Sequence, residues 1–201
     1  MRSIRLTLAT AVTGTLAAAL TALLGPAMPA QAYDDCTTRT TSKAFAAFGD
    51  TNEYFPVTNG TFESGSLSPF AVTGGAYIAQ ENESWRVLGS SHNRSVALPP
   101  GATLRADFCV QVGEDSFRAF TKSPGAGASL KFDITVRTSL GSSTANSRSS
   151  SQSRAWEPTA RVPLYNVYGP DSRQYVTVLV TNNGSGTWLL DDLLIDPWRT
   201  R

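Results

Sequence analysis

Beyond residue 32 the chain alternates apolar and polar residues with a period of two almost throughout. Leu130, Phe132, Ile134 and Val136 alternate with Lys131, Asp133, Thr135 and Arg137, and Val176, Val178 and Val180 alternate with Tyr175, Thr177 and Leu179. A strand with one side buried and the other in water has this pattern, because successive side chains point to opposite faces. Stretches at 70–73, 76–79, 85–88, 95–98, 104–112, 117–121 and 187–195 read as further strands. Turn signals such as P-P-G, G-E-D, S-P-G-A-G and N-N-G separate them. No convincing helix of ten residues can be drawn after Ala32. About nine short strands in one region predict an all-β fold, a single antiparallel β-sandwich of the jelly-roll type.

The Ser-rich run 139–155 interrupts the alternation. It reads as a polar hairpin or edge segment rather than a linker, since about 45 residues beyond it are too few for a second core. Its arginines, Arg148 and Arg154, are expected in solvent.

Residues 1–32 have a different character: a basic start (M-R-S-I-R), an apolar stretch from Leu6 to Leu24, and a small-residue end, Ala30-Gln31-Ala32. These are the three parts of a helical secretory signal peptide, with a cut expected after Ala32. The expected organisation is a signal peptide at 1–32 and a single β-sandwich domain at 33–201. Such a protein would be secreted, extracellular or cell-wall associated, with no membrane span after signal cleavage. Export gives the two cysteines a meaning. Cys36 and Cys109 allow one intramolecular pairing, and in an oxidising compartment a structural disulfide is the expected use.

Composition narrows the partners. Charged residues are 16% of the chain, against about 25% in an average globular protein. Removing residues 1–32 takes away Arg2 and Arg5 and no acid, leaving 15 basic against 16 acidic residues. No broad basic field remains, so nucleic acid is not expected as a partner. The single histidine, His92, excludes a multi-histidine zinc site. It sits in a polar turn, G-S-S-H-N-R, and no G-x-S-x-G elbow surrounds any serine. No catalytic residue is assigned, and the protein is not expected to be an enzyme.

Two motifs carry a resemblance. One is N-G-T-F-E-S-G at Asn59–Gly65, followed by S-P-F-A-V-T-G at Ser68–Gly74; the other is W-L-L-D-D-L-L-I-D-P at Trp188–Pro197. Together they resemble the opening and closing strands of carbohydrate-binding-module, galactose-binding-like jelly rolls, with Phe70 where a tryptophan usually stands. The order of Cys36, F-G-D at Phe48–Asp50, E-N-E-S-W at Glu81–Trp85, L-P-P-G at Leu98–Gly101, Cys109, R-A-F at Arg118–Phe120 and W-E-P at Trp156–Pro158 is similar to a group of small secreted actinobacterial proteins of unknown function.

The resemblance implies that the first and last strands lie side by side, tied in many such domains by a structural calcium. Carried over, its ligands would be Glu63 and Asp191, with Asp192 as the other choice; no other cofactor is required. It also implies a carbohydrate or cell-wall glycan as partner. Flat rings with polar neighbours suit sugars. Trp85, Trp156, Tyr165, Tyr168 and Trp198 are candidate rings, with Arg118, Asp133 and Arg137 as polar partners. The expected function is non-catalytic binding of a carbohydrate or cell-wall polymer. The alternative is a structural or protein-partner-binding extracellular protein without sugar affinity.

Overall fold

Among the described residues twelve strands, antiparallel wherever they pair, form two layered sheets. The computed structural model describes residues 36, 39–111, 113–138, 141–149, 154–164 and 173–197. The segment 1–32, Tyr165, Tyr168, Trp198 and positions 139–140 and 150–153 of the Ser-rich run lie outside the described residues.

One sheet contains β1 (Phe55–Pro56), β3 (Tyr77–Ala79), β4 (Ser95–Leu98), β6 (Glu114–Lys122), β9 (Trp156–Pro158), β10 (Val162–Pro163) and β12 (Trp188–Pro197). The other runs in the order β2 (Ala71–Thr73), β5 (Thr103–Gln111), β11 (Arg173–Asn182), β7 (Leu130–Thr138), β8 (Gly141–Ser149). β1 pairs with β12 through Phe55 opposite Ile195, so the first strand does lie beside the last. Among the described residues no helix is long and apolar enough to cross a membrane.

The period-two pattern explains which side of each strand is buried. Leu130, Phe132, Ile134 and Val136 of β7, and Val176, Val178 and Val180 of β11, face the opposite sheet. There they meet Val96, Leu98, Phe117, Trp188, Leu190 and Ile195 in one core. Each such side chain contributes roughly 1.5–3 kcal/mol on burial. Residues Gly141–Ser149 form β8 at the edge of the five-stranded sheet, paired with β7 over its whole length, and Ser142, Thr144 and Asn146 stand in solvent.

The seven-stranded sheet differs, because it is covered on both sides. Phe120, Leu194 and Trp156 turn away from the main core into a second cluster with Ala44, Phe45 and Tyr54. Phe48, Val87, Leu88 and Leu189 flank it. The cover is the segment around 39–54 and the loop around 81–92. Polar groups fasten it: the Tyr54 hydroxyl donates to Asp50 Oδ2 at 2.6 Å, and Arg118 Nη1 meets the same oxygen at 2.9 Å. Burial alone would raise the Asp50 carboxyl, but the bonds from Tyr54 and the Asn52 amide, with the charge of Arg118, bring it below the usual value. Burial, then the bond to Asp50, pushes Tyr54 up to about 12.

The strand expected at 85–88 is instead part of this covering loop. Glu83, 1% exposed, takes the amides of Trp85 and Val87 on its two carboxylate oxygens, each at 2.6 Å. Those amides are therefore spent on a side chain and cannot join a sheet ladder. Arg86 completes the turn at φ 51°. Glu83→Ala is expected to cost about 2 kcal/mol, the effect of stranding amides under the loop. Urea unfolding measures this, and a loss below about 0.5 kcal/mol would show that the carboxylate does not hold the loop.

Candidate functional site

The outer side of the five-stranded sheet is built by the polar phase of the strands that fill the core. Because Val176 and Val178 point inward, Tyr175 and Thr177 point outward, and the same parity turns Arg105, Asp107, Asp133, Thr135 and Arg137 to that side. The register sets them in rows across the strands. Tyr175 lies between Cys109 and Arg137, Thr177 between Asp107 and Thr135, and Leu179 between Arg105 and Asp133. Directly opposite residues have Cβ atoms about 5 Å apart, so each row is a line of touching side chains.

Asp107 organises this face. Its side chain is 3% exposed and accepts two bonds from Arg105, Nε to Oδ2 at 2.7 Å and Nη2 to Oδ1 at 2.9 Å. The Thr177 hydroxyl donates to Asp107 Oδ1, and Arg137 Nη2 donates to the Thr177 oxygen at 3.0 Å. Beside this chain the Tyr175 ring is 45% exposed. Two rows along, Lys131 Nζ holds Asp133 Oδ1 at 2.8 Å. A planar guanidinium locked by a bidentate carboxylate has already lost its rotamer freedom, so a ligand meeting it orders less. An exposed ring beside fixed donors can take an apolar face and the hydroxyls of one molecule together.

Of the eight ligand candidates expected from sequence, five lie among the described residues; the structure places Asp133 and Arg137 on this face and carries Trp85, Arg118 and Trp156 elsewhere. Arg118 is 8% exposed beneath the covering layer, donating to the Thr159 carbonyl at 3.0 Å with its guanidinium 3.9 Å from the Phe45 ring centre. Trp156 is 4% exposed, and its indole N–H donates to Glu81 Oε1 at 3.0 Å. Both are buried structural groups with little surface for a ligand. Trp85 is 43% exposed, but one side of its ring packs against Phe48 and Phe120, at 4.7 and 5.8 Å between centres. It belongs to the cover of the other sheet. Arg105, Asp107, Tyr175 and Thr177 were missed as site residues, although Tyr175 and Thr177 stand in the outward phase of the β11 alternation. His92 Nδ1 is buried without a hydrogen-bond partner among the described residues.

The acidic residues of the two motifs have separate hydrogen-bond partners, while the charge of Glu63 reaches Asp192. Glu63 Oε1 accepts the amides of Asn93 and Arg94 at 2.9 and 2.8 Å. Asp191 accepts the Glu83 amide on Oδ2 at 3.0 Å and the Asp192 amide on Oδ1 at 2.8 Å. Asp192 is a different case. The pairing of β12 with β6 is irregular between Asp191 and Leu194, Asp192 has φ 49°, and its side chain is 1% exposed with neither oxygen bonded. Burial, with the charge of Asp192, raises Asp191 to about 9. Burial, with the charges of Glu83 and Glu63, raises Asp192 to about 8. Among the described residues no three His, Cys, Asp or Glu side chains are grouped as a ready metal centre.

No protein-family model and no curated protein matches the chain. Among solved structures it is similar to the module TmCBM61 in complex with β-1,4-galactotriose, at 17% identity over 70% of this chain and 97% of that chain, with a TM-score of 0.46. It is also similar to the CBM22-1 xylan-binding domain from Paenibacillus barcinonensis Xyn10C, at 15% identity over 70% and 93% of the two chains, TM-score 0.45. A third is CBM28, a carbohydrate-binding module specific for non-crystalline cellulose, at 10% identity over 70% and 95%, TM-score 0.46. These neighbours are β-sandwich carbohydrate-binding modules. Fold likeness at such identity transfers no function.

Proposed function

We propose that the chain is a secreted, non-catalytic binding module whose outer five-stranded face takes a carbohydrate or cell-wall polymer. One observation carries this reading: the exposed Tyr175 ring beside the Arg105–Asp107–Thr177–Arg137 chain of hydrogen bonds. The ring covers the apolar C–H face of a sugar, and the guanidinium and hydroxyl groups meet its hydroxyls. The rows run across the strands from β5 through β11 to β7, which suits a chain passing over the face.

Tyr175→Ala is expected to weaken binding about fivefold to tenfold, the worth of one stacked ring, with an unchanged melting temperature because the ring is not in the core. Arg137→Ala is expected to act in the same direction. Affinity electrophoresis in gels containing galactan, xylan, soluble glucan or solubilised cell-wall glycan measures both. Retardation that is identical in the wild type and both variants would remove the site from this face.

We also propose a structural cation at Asp192. Its two buried, unbonded oxygens are hard donors of the kind calcium takes. Glu63 is the second carboxylate that would hold it, with carbonyl or water oxygens completing the set. The assignment moves from Asp191, whose oxygens are taken by two amides. The ion would neutralise the charge that Asp192 cannot otherwise bury.

A further inference from the structure

The seven-stranded sheet carries a hollow of about 350 Å³ on its outer side, lined by Tyr77, Lys122, Pro124, Arg154, Thr187 and Leu189 among others. It belongs to neither site described above. Its floor follows one row of the sheet, from Tyr77 through Ala97 and Leu189 to Lys122. Three strand spacings put the two ends about 14 Å apart at the backbone, with Tyr77 and Lys122 as opposite rims.

Two glycines pack against lining residues. A side chain on Gly125, which has φ +114°, would begin 2.7 Å from Arg154 Nε. One on Gly186, at φ +75°, would begin 2.6 Å from Pro124 Cβ. The loop at 123–127 and the β11–β12 turn can therefore close on each other, with the Arg154 guanidinium laid against bare backbone at the rim.

The chemistry of the lining is distinctive for this chain. Tyr77 is 52% exposed, the most exposed of the large hydrophobic residues described. Arg154 makes no hydrogen bond or ion pair among the described residues. Lys122 Nζ is held at 2.5 Å by Glu81 Oε1, which also accepts the Trp156 indole N–H at 3.0 Å. Two cations and one carboxylate leave the hollow with one net positive charge, on a chain whose net charge without residues 1–32 is slightly negative. The volume lies at the lower end of the range for small-molecule sites, about 300–1,000 Å³, so it suits one sugar residue rather than a polymer segment.

We propose that this hollow is a second binding site, for a sugar residue bearing a carboxylate: a uronic acid that stacks on Tyr77 and sets its carboxylate against Arg154 and Lys122. The planar guanidinium matches a carboxylate with two parallel bonds, and the ammonium adds a point charge from the other rim.

The test is calorimetric titration of the full chain with galacturonic acid trisaccharide and, separately, with neutral β-1,4-galactotriose. The acidic ligand is expected to bind with a strength that falls on raising the salt from 0.05 to about 0.5 M. Arg154→Ala should weaken it about tenfold or more, and Tyr77→Ala about fivefold. Both side chains are exposed, and a circular-dichroism melt confirms that the variants fold. Tyr175→Ala should leave uronate binding intact, which separates this site from the five-stranded face. No measurable uronate binding, binding of the neutral trisaccharide by Tyr175→Ala as strong as that of the acidic one, or binding unchanged in both Arg154→Ala and Tyr77→Ala would each overturn the proposal.

Discussion

Serine at both 36 and 109 is expected to lower the free energy of unfolding by about 4 kcal/mol. The disulfide Cys36–Cys109 joins residues 73 apart in sequence across a Cα separation of 5.5 Å. Cutting it lets the unfolded chain open a large loop, and the gain in entropy favours unfolding. The folded state loses too. Both cysteines are buried, Gln111 Nε2 donates to the Cys36 carbonyl, and Arg39 donates to the Cys109 carbonyl at 3.1 Å and to Glu114 Oε1 at 2.9 Å. The bridge thus begins the segment that goes on to supply Phe45 and Tyr54 to the second core. A change of this size shifts the melting temperature by about 10 °C for a domain of this length. In urea unfolding the loss in the double variant should agree with the loss that reductant causes in the wild type. A loss under about 1 kcal/mol would mean that the covering segment is held by packing alone.

The second large effect concerns pH. Asp191 and Asp192 are raised, chiefly by burial, to about 9 and about 8 from the ordinary value of 3.8. The folded protein therefore holds protons that the unfolded chain releases. Their contribution to stability is complete below about pH 4, and it is lost progressively as pH rises toward 8–9. With chelator present the melting temperature is expected to fall by roughly 10 °C between pH 5 and 8.5, equivalent to a few kcal/mol. Calcium should restore most of that loss at pH 8.5 and little at pH 5, because a cation and a proton compete for the same oxygens. Asp192→Asn should flatten the pH dependence and abolish the calcium response. A melting temperature indifferent to both pH and calcium would show that the buried pair is neutralised in another way.

How much of this was legible in the sequence depends on how many sides of a strand are covered. In β7 and β11 one face is dry and one is wet, so alternation alone separated Ile134 and Val178 from Asp133 and Tyr175. The outward phase of β11 already contained Tyr175 and Thr177. What alternation lacks is the cross-strand register that brings Asp107 of β5 to Thr177 and Arg137. β6 behaves differently. Its polar residues look outward, yet the layer at 39–54 and 81–92 lies over them, so Arg118 reads as a surface donor and is an internal brace. That layer depends on contacts such as Asp50 with Arg118, which a local pattern cannot contain. The same blindness affects Trp85 and Val87: their apolar character was legible, but Glu83 drawing their amides into a turn was not. At Asp191 and Asp192, strict alternation would put one residue on each face. The irregular pairing and the positive φ of Asp192 break that rule and leave both side chains buried.

The most direct test of the binding face is amide chemical-shift mapping during titration with soluble galactan, xylan, cello-oligosaccharide and cell-wall glycan fragments. At least one neutral glycan is expected to perturb Asp107, Thr135, Arg137, Tyr175 and Thr177 together, to leave the opposite sheet unchanged, and to do so far more weakly in Tyr175→Ala. Perturbations centred away from β5, β7 and β11, or silence across all four ligand classes, would contradict this expectation.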